Sequence, residues 1–422
     1  MQNYSTINRT SKTAVADQLR KIKQMNILSA GHFISPSNTF RVVPKTIRND
    51  IAIAEYIASS CITHLYDGWN YMSAALRAFI HNDVGVCGHS AYYAELRAAL
   101  AFLAVNGIVI CRDEGYYIKS DSTIDMLYTK ETTHNAVWNA LQAFANMSSS
   151  TADKVLVEDI ITVEKIKMSD WIRELSGTHV SRTLCNNLLL DCGADIRRYD
   201  DDKKGRSKYS YSPTSLENYM VLPEDDIRCK VSKFWELFEP VSPGQFEKLD
   251  LYILQSIYGR YRTAIGLDVK DYETKVRAVI KNLISNNTQD IVFSKLYTRQ
   301  YELPFDLNEN GAVNGDLHGG MLMRAGFMLR LATAACRDLL VRAGVTSNDL
   351  GRWLIQCQKN RFMWQAAVSH YAYVDLWADV DDSITSLMTY APVSTDSWLL
   401  TESRSLETLS KTEYIMLWGL GL

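Results

Sequence analysis

Residues 82–120 read NDVGVCGHSAYYAELRAALAFLAVNGIVICRDEGYYIKS, and this stretch has the clearest secondary-structure pattern in the chain. Apolar residues recur at helical spacing from His89 to Asn106, and the many alanines favour a helix that its neighbours approach closely. Gly107 predicts the end of this helix, because glycine readily adopts the left-handed conformation found at helix termini. Two β-prone runs separated by the letters DEG follow, and they predict a short hairpin over 108–118.

A helix followed by a short hairpin is compatible with two kinds of domain. One is a winged-helix DNA-binding protein with the hairpin as its wing, and the other is a helical domain that carries a small hairpin. A winged helix needs a basic recognition helix, because contacts to phosphates supply most of the affinity for DNA. The helix here offers only Arg97, which Glu95 offsets, so the sequence favours the helical domain.

The polar residues of this helix admit a structural and a functional interpretation. In the structural one, Glu95 faces His89 or an arginine of a neighbouring helix, because buried charges require partners. In the functional one, these groups form an acid–base or RNA-contacting cluster. We favour a buried network that fixes the packing of the helix, since single His and Glu residues occur in cores. The residues concerned are His89, Tyr92, Tyr93, Glu95 and Arg97.

The composition narrows the class of protein. With 422 residues, 47% of them hydrophobic and 22% charged, the chain fits an ordinary globular protein of two or three domains. The net charge of −3 predicts no overall attraction to nucleic acid. The polar N-terminus lacks the apolar core of a secretory signal, and no apolar run is long enough to cross a bilayer. We therefore expect a cytoplasmic protein without a membrane partner.

The cysteines and prolines add two further expectations. Eight cysteines are scattered without a CxxC pair, which argues against a zinc ribbon and a thioredoxin motif and predicts free thiols, with no metal and no cofactor. Only eight prolines occur, and the apolar spacing is mostly helical. We predict a mainly α protein made of multi-helix, bundle-like domains, with little sheet beyond the hairpin near 108–118.

The remaining pattern divides the chain into three regions. A polar run at 147–154 predicts a linker. Residues 1–146 are predicted to form an N-terminal helical domain with the hairpin. Residues 155–222 are predicted to form a small helical region with a basic loop, and residues 223–422 a C-terminal helical domain. A strand-like run is expected at 40–43, and two short helices over 169–190 suggest a helix-turn-helix. The other predicted helices lie at 14–24, 46–80 with a break near Asp67-Gly68, 132–144, 225–238, 245–262, 271–285, 321–342, 348–364 and 377–389.

The middle region contains the most basic stretch of the chain. Basic residues interleaved with tyrosines suit nucleic acid, because cations contact phosphates and aromatic rings stack on bases. The alternative is a solvated surface loop, since three aspartates offset half of the charge. The candidate nucleic-acid contacts are Arg197, Arg198, Lys203, Lys204, Arg206, Lys208, Tyr209 and Tyr211.

The segment at 321–342 is almost wholly apolar and predicts a central core helix. Arg324 and Arg330 lie inside it, so each needs an acidic partner or a ligand, for which Glu302 and Asp306 are candidates. The chain ends in the apolar letters YIMLWGLGL, which predict a docked terminus, with another subunit as one docking surface.

The chain carries no complete catalytic motif. The Walker A, nucleophile-elbow and HExxH patterns are absent or lack required residues. Ribonucleases of the HEPN type carry an Arg, a polar residue, a short gap and a His on a helical scaffold. Arg77 and His81 stand closer together than that pattern requires, and Ala78 occupies the polar position. If RNA were cleaved here, His81 would be the acid–base group and Arg77 would stabilise the phosphate.

Two stretches, HSAYYAELRAALAFLAVNGIVI at 89–110 and THNAVWNALQAF at 133–144, resemble a set of uncharacterised bacterial proteins. Those proteins are mostly helical and occur among phage-defence and mobile-element genes. Paired tyrosines, the letters ELR and a small-residue helix ending in Gly-Ile carry the resemblance, which covers the first third of the chain. GGMLMRAGFMLRLAT at 319–333 extends it. The resemblance implies a bacterial or phage-encoded protein that works in defence within a complex, and it assigns no catalytic residue.

These expectations lead to one hypothesis and two rivals. The leading hypothesis is a non-enzymatic helical subunit of a bacterial anti-phage defence assembly, which binds a protein partner or a second copy of itself and, as a further ligand, nucleic acid. One rival is the winged-helix DNA-binding protein. The other is a HEPN-like ribonuclease, which an open cleft uniting its candidate residues would favour. Its candidate catalytic residues are Arg77, His81, His89, Glu95 and Arg97.

Overall fold

The computed structural model describes residues 4–25, 49–111, 114–145, 160–177, 199–211, 222–242, 244–285, 287–299, 301–305, 317–360, 373–390 and 398–421. Within these ranges the chain is mainly α-helical, as predicted, with one three-stranded sheet and one two-stranded pair. None of the helices there is both long and apolar enough to cross a bilayer. The expected linker, the strand-like run at 40–43 and the second half of the expected helix-turn-helix lie outside the described residues.

Helices begin and end close to most of the predicted positions. Asn49 and Asp83 cap the second and third helices, because each side-chain oxygen accepts a hydrogen bond from the backbone N–H three residues later. In chain order the helices are α1 (Lys12–Gln24), α2 (Asp50–Ile80), α3 (Val84–Val105), α4 (Thr133–Ala145), α5 (Met168–Ser176), α6 (Tyr199–Tyr211), α7 (Glu224–Leu237), α8 (Glu247–Ile265), α9 (Val269–Leu283), α10 (Gln289–Phe293), α11 (Leu317–Ala343), α12 (Ser347–Asn360), α13 (Tyr373–Thr389), α14 (Trp398–Thr401), α15 (Ser403–Leu409) and α16 (Glu413–Leu420).

Helices α2, α3 and α11 form the centre of the molecule, and α11 packs along both of the others. The indole of Trp69 in α2 donates a hydrogen bond to the hydroxyl of Thr333 in α11. Further along α11, the thiol of Cys336 donates to the carbonyl of Cys61, which lies earlier in α2. The two helices therefore run antiparallel, so the beginning of α2 and the end of α11 lie at the same end of the pair.

Helix α2 runs without interruption, so the predicted break near Asp67-Gly68 is wrong. Gly68 serves packing instead. A Cβ atom at this position would lie 2.8 Å from Cδ2 of Leu329 in α11 and 3.4 Å from the carbonyl oxygen of Ala94 in α3. A glycine weakens a helix by about 1 kcal/mol relative to alanine, and here the close approach of three helices offsets that cost.

The predicted hairpin is present, and it continues into a third strand that the sequence pattern did not predict. Gly107 ends α3 with a φ of +85°, as expected of a helix-terminating glycine. The third strand reads IDMLYT, in which the adjacent apolar letters M and L break the alternation that identifies strands, and Asp is disfavoured in strands. The strands are β1 (Ile108–Cys111), β2 (Glu114–Ile118) and β3 (Ile124–Thr129) in an antiparallel sheet, and β4 (Thr162–Val163) with β5 (Ile166–Lys167).

The stretch expected to be a basic loop is largely helix α6, so its predicted conformation is wrong. Asp202, Arg206 and Ser210 follow one another at intervals of four, so they share one face of this helix. Helix α6 packs on α3. Because its contact face is polar, the apolar spacing that reveals most packed helices is absent. Lys204 and Lys208 share another face, which is exposed.

The apolar C-terminus packs against its own chain. Helix α16 contacts α11 and α2, and Trp418 is buried. Just before α16, the hydroxyls of Ser73 and Thr412 share a hydrogen bond of 3.0 Å. The docking of the tail that the sequence predicts is therefore provided by other helices of the same chain.

Buried apolar residues from all three predicted regions belong to one cluster. Trp69 of α2, Trp171 of α5 and Trp235 of α7 are among its largest members. The division into three domains stays a prediction, and the packing of the described residues does not by itself separate the three regions.

Candidate functional site

Polar side chains concentrate where α6 packs on α3, in a region that α4 and α11 also border. They form two layers, an inner one next to α11 and an outer one nearer to solvent. We call them together the α3–α6 cluster. The inner layer is Glu95, Asp202 and Arg324, and the outer layer is His89, Tyr92, Tyr93, His134 and Arg206.

The inner layer consists of one guanidinium and two carboxyl groups. Nε and Nη2 of Arg324 donate to the two carboxylate oxygens of Asp202, at 2.9 and 2.5 Å. The same Nε lies 3.9 Å from Oε1 of Glu95, which is too long for a hydrogen bond. All three side chains are at most 2% exposed. Asp202 is therefore the counterion of Arg324, and Glu95 is a second acid beside an ion pair that is already complete.

Glu95 is a buried acid whose carboxyl oxygens have no hydrogen-bond partner among the described residues. Burial raises the pKa of Glu95 well above its usual value, and repulsion from Asp202 adds to the rise, while Arg324 opposes it. Because Arg324 already pairs with Asp202, we assign Glu95 as a neutral acid near pH 7. The expected arginine from a neighbouring helix is present, but it does not hold Glu95 in its charged form.

The second arginine of α11 has a partner of its own. Nε and Nη2 of Arg330 donate to the carboxylate of Asp250 in α8, at 3.0 and 2.8 Å. The expectation that these arginines need acidic partners is confirmed, but the proposed partners are wrong where they are described. Glu302 pairs with Lys233 instead, and Asp306 lies outside the described residues.

The outer layer is organised around Arg206 of α6. Its Nη2 lies 3.4 Å from Nε2 of His134 and 3.4 Å from the hydroxyl of Tyr93. Its guanidinium carbon lies 5.6 and 5.5 Å from the ring centroids of Tyr92 and Tyr93. Cation–π attraction of this kind stabilises a cation against aromatic faces. Arg206 therefore helps to fix α6 on α3 and α4.

Both histidines of the outer layer are hydrogen bonded through Nδ1. That of His134 shares a 2.7 Å bond with the Tyr92 hydroxyl, and that of His89 shares one of 2.7 Å with Ser210. Burial, and then repulsion from Arg206, lowers the pKa of each imidazole. Because a guanidinium only donates, Nε2 of His134 accepts from Arg206 and Nδ1 carries the proton. Helix α6 thus docks against neutral imidazoles.

Two of the catalytic candidates lie at the end of α2, and among the described residues neither shares a hydrogen bond or an ion pair with this cluster. Arg77 pairs with Glu407 and donates to the hydroxyl of Ser410. His81 is exposed immediately after the helix. Arg77 is thus engaged by α15 and the residue that follows it, in contacts that explain its position without a substrate.

Arg97 projects from α3 towards α2. Its Nη1 lies 3.0 Å from Nδ1 of His64 and 3.4 Å from Oδ2 of Asp67. Helix α3 itself packs against α2, α6 and α11, and most of its side chains are buried. The helix that a winged-helix protein would place in the DNA groove is therefore a core helix without a basic surface.

The candidate nucleic-acid contacts of α6 divide between two faces. Arg206 turns towards the body of the protein, and Nζ of Lys203 donates to the side chain of Asn135 in α4. Lys204 and Lys208 are exposed. Arg197 and Arg198 lie outside the described residues, and so do the side chains of Tyr209 and Tyr211.

Asp202 and His134 belong to the cluster, but they were not among the predicted site residues. Asp202 stands in a run of three aspartates, which composition alone explains as offsetting nearby positive charge. A helical reading of 199–211 would have placed Asp202, Arg206 and Ser210 on one face. For His134, near the start of α4, no signal in the sequence indicated its contact with α3 and α6.

Across the described ranges, no group of three or more His, Cys, Asp or Glu side chains is arranged to hold a metal ion. No family model, curated protein or solved structure matches the chain. The resemblance to defence-associated bacterial proteins therefore stays a prediction.

Proposed function

We propose that this chain is a non-enzymatic helical subunit of a bacterial anti-phage defence assembly and that it binds a partner protein. The defence role rests on the resemblance, and the binding role rests on the surface described below. Most of the catalytic candidates support this proposal by their surroundings. Glu95 is fully buried, and Arg77 and Arg97 are engaged in contacts within the chain.

The observation that carries the proposal is a group of exposed apolar side chains at one end of the central helices. Met25, Ile51 and Val341 are 52%, 68% and 68% exposed. Ile51 lies in the first turn of α2 and Val341 near the end of α11, which are at the same end because the helices are antiparallel. We call these three residues the apolar end.

The end of α1 lies at the same place. Nη2 of Arg20 donates to the carbonyl of Arg342, and Nζ of Lys23 bonds to the carbonyl of Gly344, which brings Met25 close to the end of α11. Single exposed apolar residues are common on protein surfaces, whereas several at the same end of three packed helices are typical of an interaction site. The apolar end is therefore the surface on which we place the partner.

The test is to co-express the chain with the products of its neighbouring genes and to measure the mass of the purified material by light scattering after size exclusion. We expect a hetero-complex, which the double variant Ile51→Glu/Val341→Lys disrupts. Burying two charges in an apolar interface weakens binding by about tenfold or more. Absorbance at 260 and 280 nm reports whether nucleic acid co-purifies.

A matched control is available elsewhere on the surface. Val269 begins α9 and Leu400 lies in α14, and they are 57% and 76% exposed. The variant Val269→Glu/Leu400→Lys introduces the same two charges and should leave the complex intact. A lone monomer in the co-expression would overturn partner binding, a homodimer would identify the partner as a second copy, and equal loss in both variants would refute the assigned surface.

The defence role has a separate test. Phage are plated on four hosts, which carry the intact gene neighbourhood, the same neighbourhood with this gene deleted, the Ile51→Glu/Val341→Lys variant, or the Val269→Glu/Leu400→Lys control variant. We expect protection only from the intact neighbourhood and from the control variant. Equal plaque counts with and without the gene would refute the defence role and leave partner binding standing.

A further inference from the structure

Arg206 is a half-buried cation that no carboxylate neutralises. Among the described residues, no carboxylate oxygen lies within 4.0 Å of its guanidinium, and its Nε is buried without a hydrogen-bond partner. Its two polar contacts, to Tyr93 and His134, are long at 3.4 Å. Asp202, one turn earlier on α6, is already bound by Arg324. Arg206 thus carries a charge that no acid among the described residues balances.

Two imidazoles and an ammonium group surround this guanidinium. The rings of His89 and His134 lie 4.9 and 6.0 Å from the ring of Tyr93, and Arg206 lies 5.5 Å from the same ring. Lys203 lies nearly one turn earlier on α6 and reaches α4 beside His134. All of these side chains are partly exposed, so a small ligand has access to them from solvent.

We propose that the outer layer of the α3–α6 cluster binds a phosphate group through Arg206, His134 and Lys203. A guanidinium donates to two phosphate oxygens at once, and an ammonium group supplies further donors. The imidazole of His134 donates through Nε2 once that nitrogen is protonated and no longer accepts from Arg206. A carboxylate has only two oxygens and a single charge, so it would satisfy fewer of these donors. The site uses no residue of the apolar end, so it does not depend on the proposed partner surface.

Binding of phosphate has a consequence that can be measured at the two histidines. In the free protein, repulsion from Arg206 is the second cause, after burial, of the lowered pKa of His89 and of His134. A bound anion offsets the charge of Arg206 and also stabilises a protonated imidazole. Phosphate therefore raises the pKa of both histidines, whereas general screening by salt has a smaller effect.

The experiment follows the imidazole signals of the full-length protein by NMR while inorganic phosphate is added. Sodium chloride at the same ionic strength is the reference, and His89→Asn and His134→Asn variants assign the signals. We expect saturable shifts of both histidines by about 10 mM phosphate, a concentration that nearly saturates a site with a millimolar Kd. Shifts that are absent, or that sodium chloride reproduces, would overturn the proposal.

Two substitutions localise the site. Arg206→Gln should weaken phosphate binding by about tenfold or more, because it removes the charge-assisted bidentate contact. Arg404→Gln removes the same charge from an exposed position in α15 and should leave the affinity unchanged. Circular dichroism establishes that both variants are folded, and the wild-type titration stands if Arg206→Gln does not fold. Equal phosphate affinities in the two folded variants would refute the role of Arg206.

The source of the phosphate is distinguished by two short single strands of the same sequence, one with a 5′-phosphate and one without. Preference for the phosphorylated strand identifies a terminal monoester, whereas equal binding that Arg206→Gln weakens identifies an internal phosphodiester. Both outcomes support the site. Binding of both strands that persists in Arg206→Gln places nucleic acid elsewhere and contradicts the assignment of the phosphate to Arg206.

Discussion

Helix α11 buries two arginines six residues apart, and the protein neutralises them differently. Among the described residues, Arg324 has two acidic neighbours, of which Asp202 forms the ion pair and Glu95 stays neutral because burial raises its pKa. Arg330 has one acidic partner, Asp250, which accepts from Nε and Nη2. The first site contains more acid than its cation requires, and the second contains only the one carboxylate that it needs.

The difference determines what remains when one carboxylate is lost. If the carboxylate of Asp202 is lost, Glu95 is close enough to Arg324 to ionise and to become its counterion. The titratable group near Arg330 is instead another cation, Arg337. Burial, and then repulsion from Arg330, lowers the pKa of Arg337, so the two arginines lie close enough to interact. Buried ion pairs are thus not equivalent, even on one helix. The damage from breaking one depends on the titratable groups around it.

Asp250→Asn is expected to give the largest effect. It leaves Arg330 as a buried, unpaired charge and should lower the free energy of unfolding by about 3–5 kcal/mol. Urea unfolding followed by circular dichroism at pH 7 measures the loss. Asp381→Asn, at an exposed position of α13, is the matched control and should change stability by less than about 0.5 kcal/mol. Equal values for the two variants would show that the Arg330–Asp250 pair does not stabilise the core.

Asp202→Asn should have a smaller effect, about 1–3 kcal/mol, although its carboxylate is as deeply buried as that of Asp250. We expect a smaller loss because Glu95 releases its proton and becomes the counterion of Arg324. The same unfolding measurement compares the two variants directly. A loss as large as that of Asp250→Asn would mean that Glu95 provides no reserve.

A double-mutant cycle sharpens the contrast. Once Asp202 is replaced by Asn, adding Glu95→Gln removes the second of the two acids that the described residues place beside Arg324, and the total loss should rise to about 3–5 kcal/mol. In the wild-type background the same Glu95→Gln change should not destabilise the protein. Additive effects of the two substitutions would show that Glu95 and Asp202 do not share the arginine.

Local pattern predicted the helices of this protein, but not the partners of its buried charges. The apolar run at 321–342 correctly indicated a core helix, and the rule that buried arginines need acids was correct for Arg324 and Arg330. The partners lie 122 and 80 residues away in sequence. No periodicity relates residues at such separations, so nearby acids were proposed instead.

Helix α6 shows the same limit at the candidate site. Its contact face consists of charged and hydroxyl side chains, which a hydrophobic pattern does not reveal and which composition assigns to a solvated loop. The polar residues of α3 were identified because that helix has a strong apolar pattern of its own. The layer around Arg206 depends on the packing of α4 and α6 against α3, which no local pattern in the sequence predicts.

Glu95→Gln in the wild-type background should give the smallest effect at acid pH. The amide replaces a neutral acid of the same shape, so stability at about pH 4.5 should change by less than roughly 1 kcal/mol. Because the pKa of Glu95 is raised in the folded state, the native protein retains a proton that the unfolded chain releases above the ordinary carboxyl pKa. Wild-type stability therefore falls as pH rises above that value, while glutamine contributes no such loss.

The sign of this pH dependence separates the two assignments of Glu95. If Glu95 is neutral in the folded protein, the stability of Glu95→Gln relative to wild type increases with pH, by at most about 1.4 kcal/mol per pH unit for one proton. If Glu95 is instead an ionised partner of Arg324, the variant is destabilised by nearly the same amount from about pH 5 to pH 8, because the carboxyl is then ionised in both the folded and the unfolded state. Urea unfolding of both proteins between pH 4.5 and pH 8 distinguishes these outcomes. The second outcome would make the surroundings of Arg324 and Arg330 equivalent, because each arginine would then depend on every acid beside it.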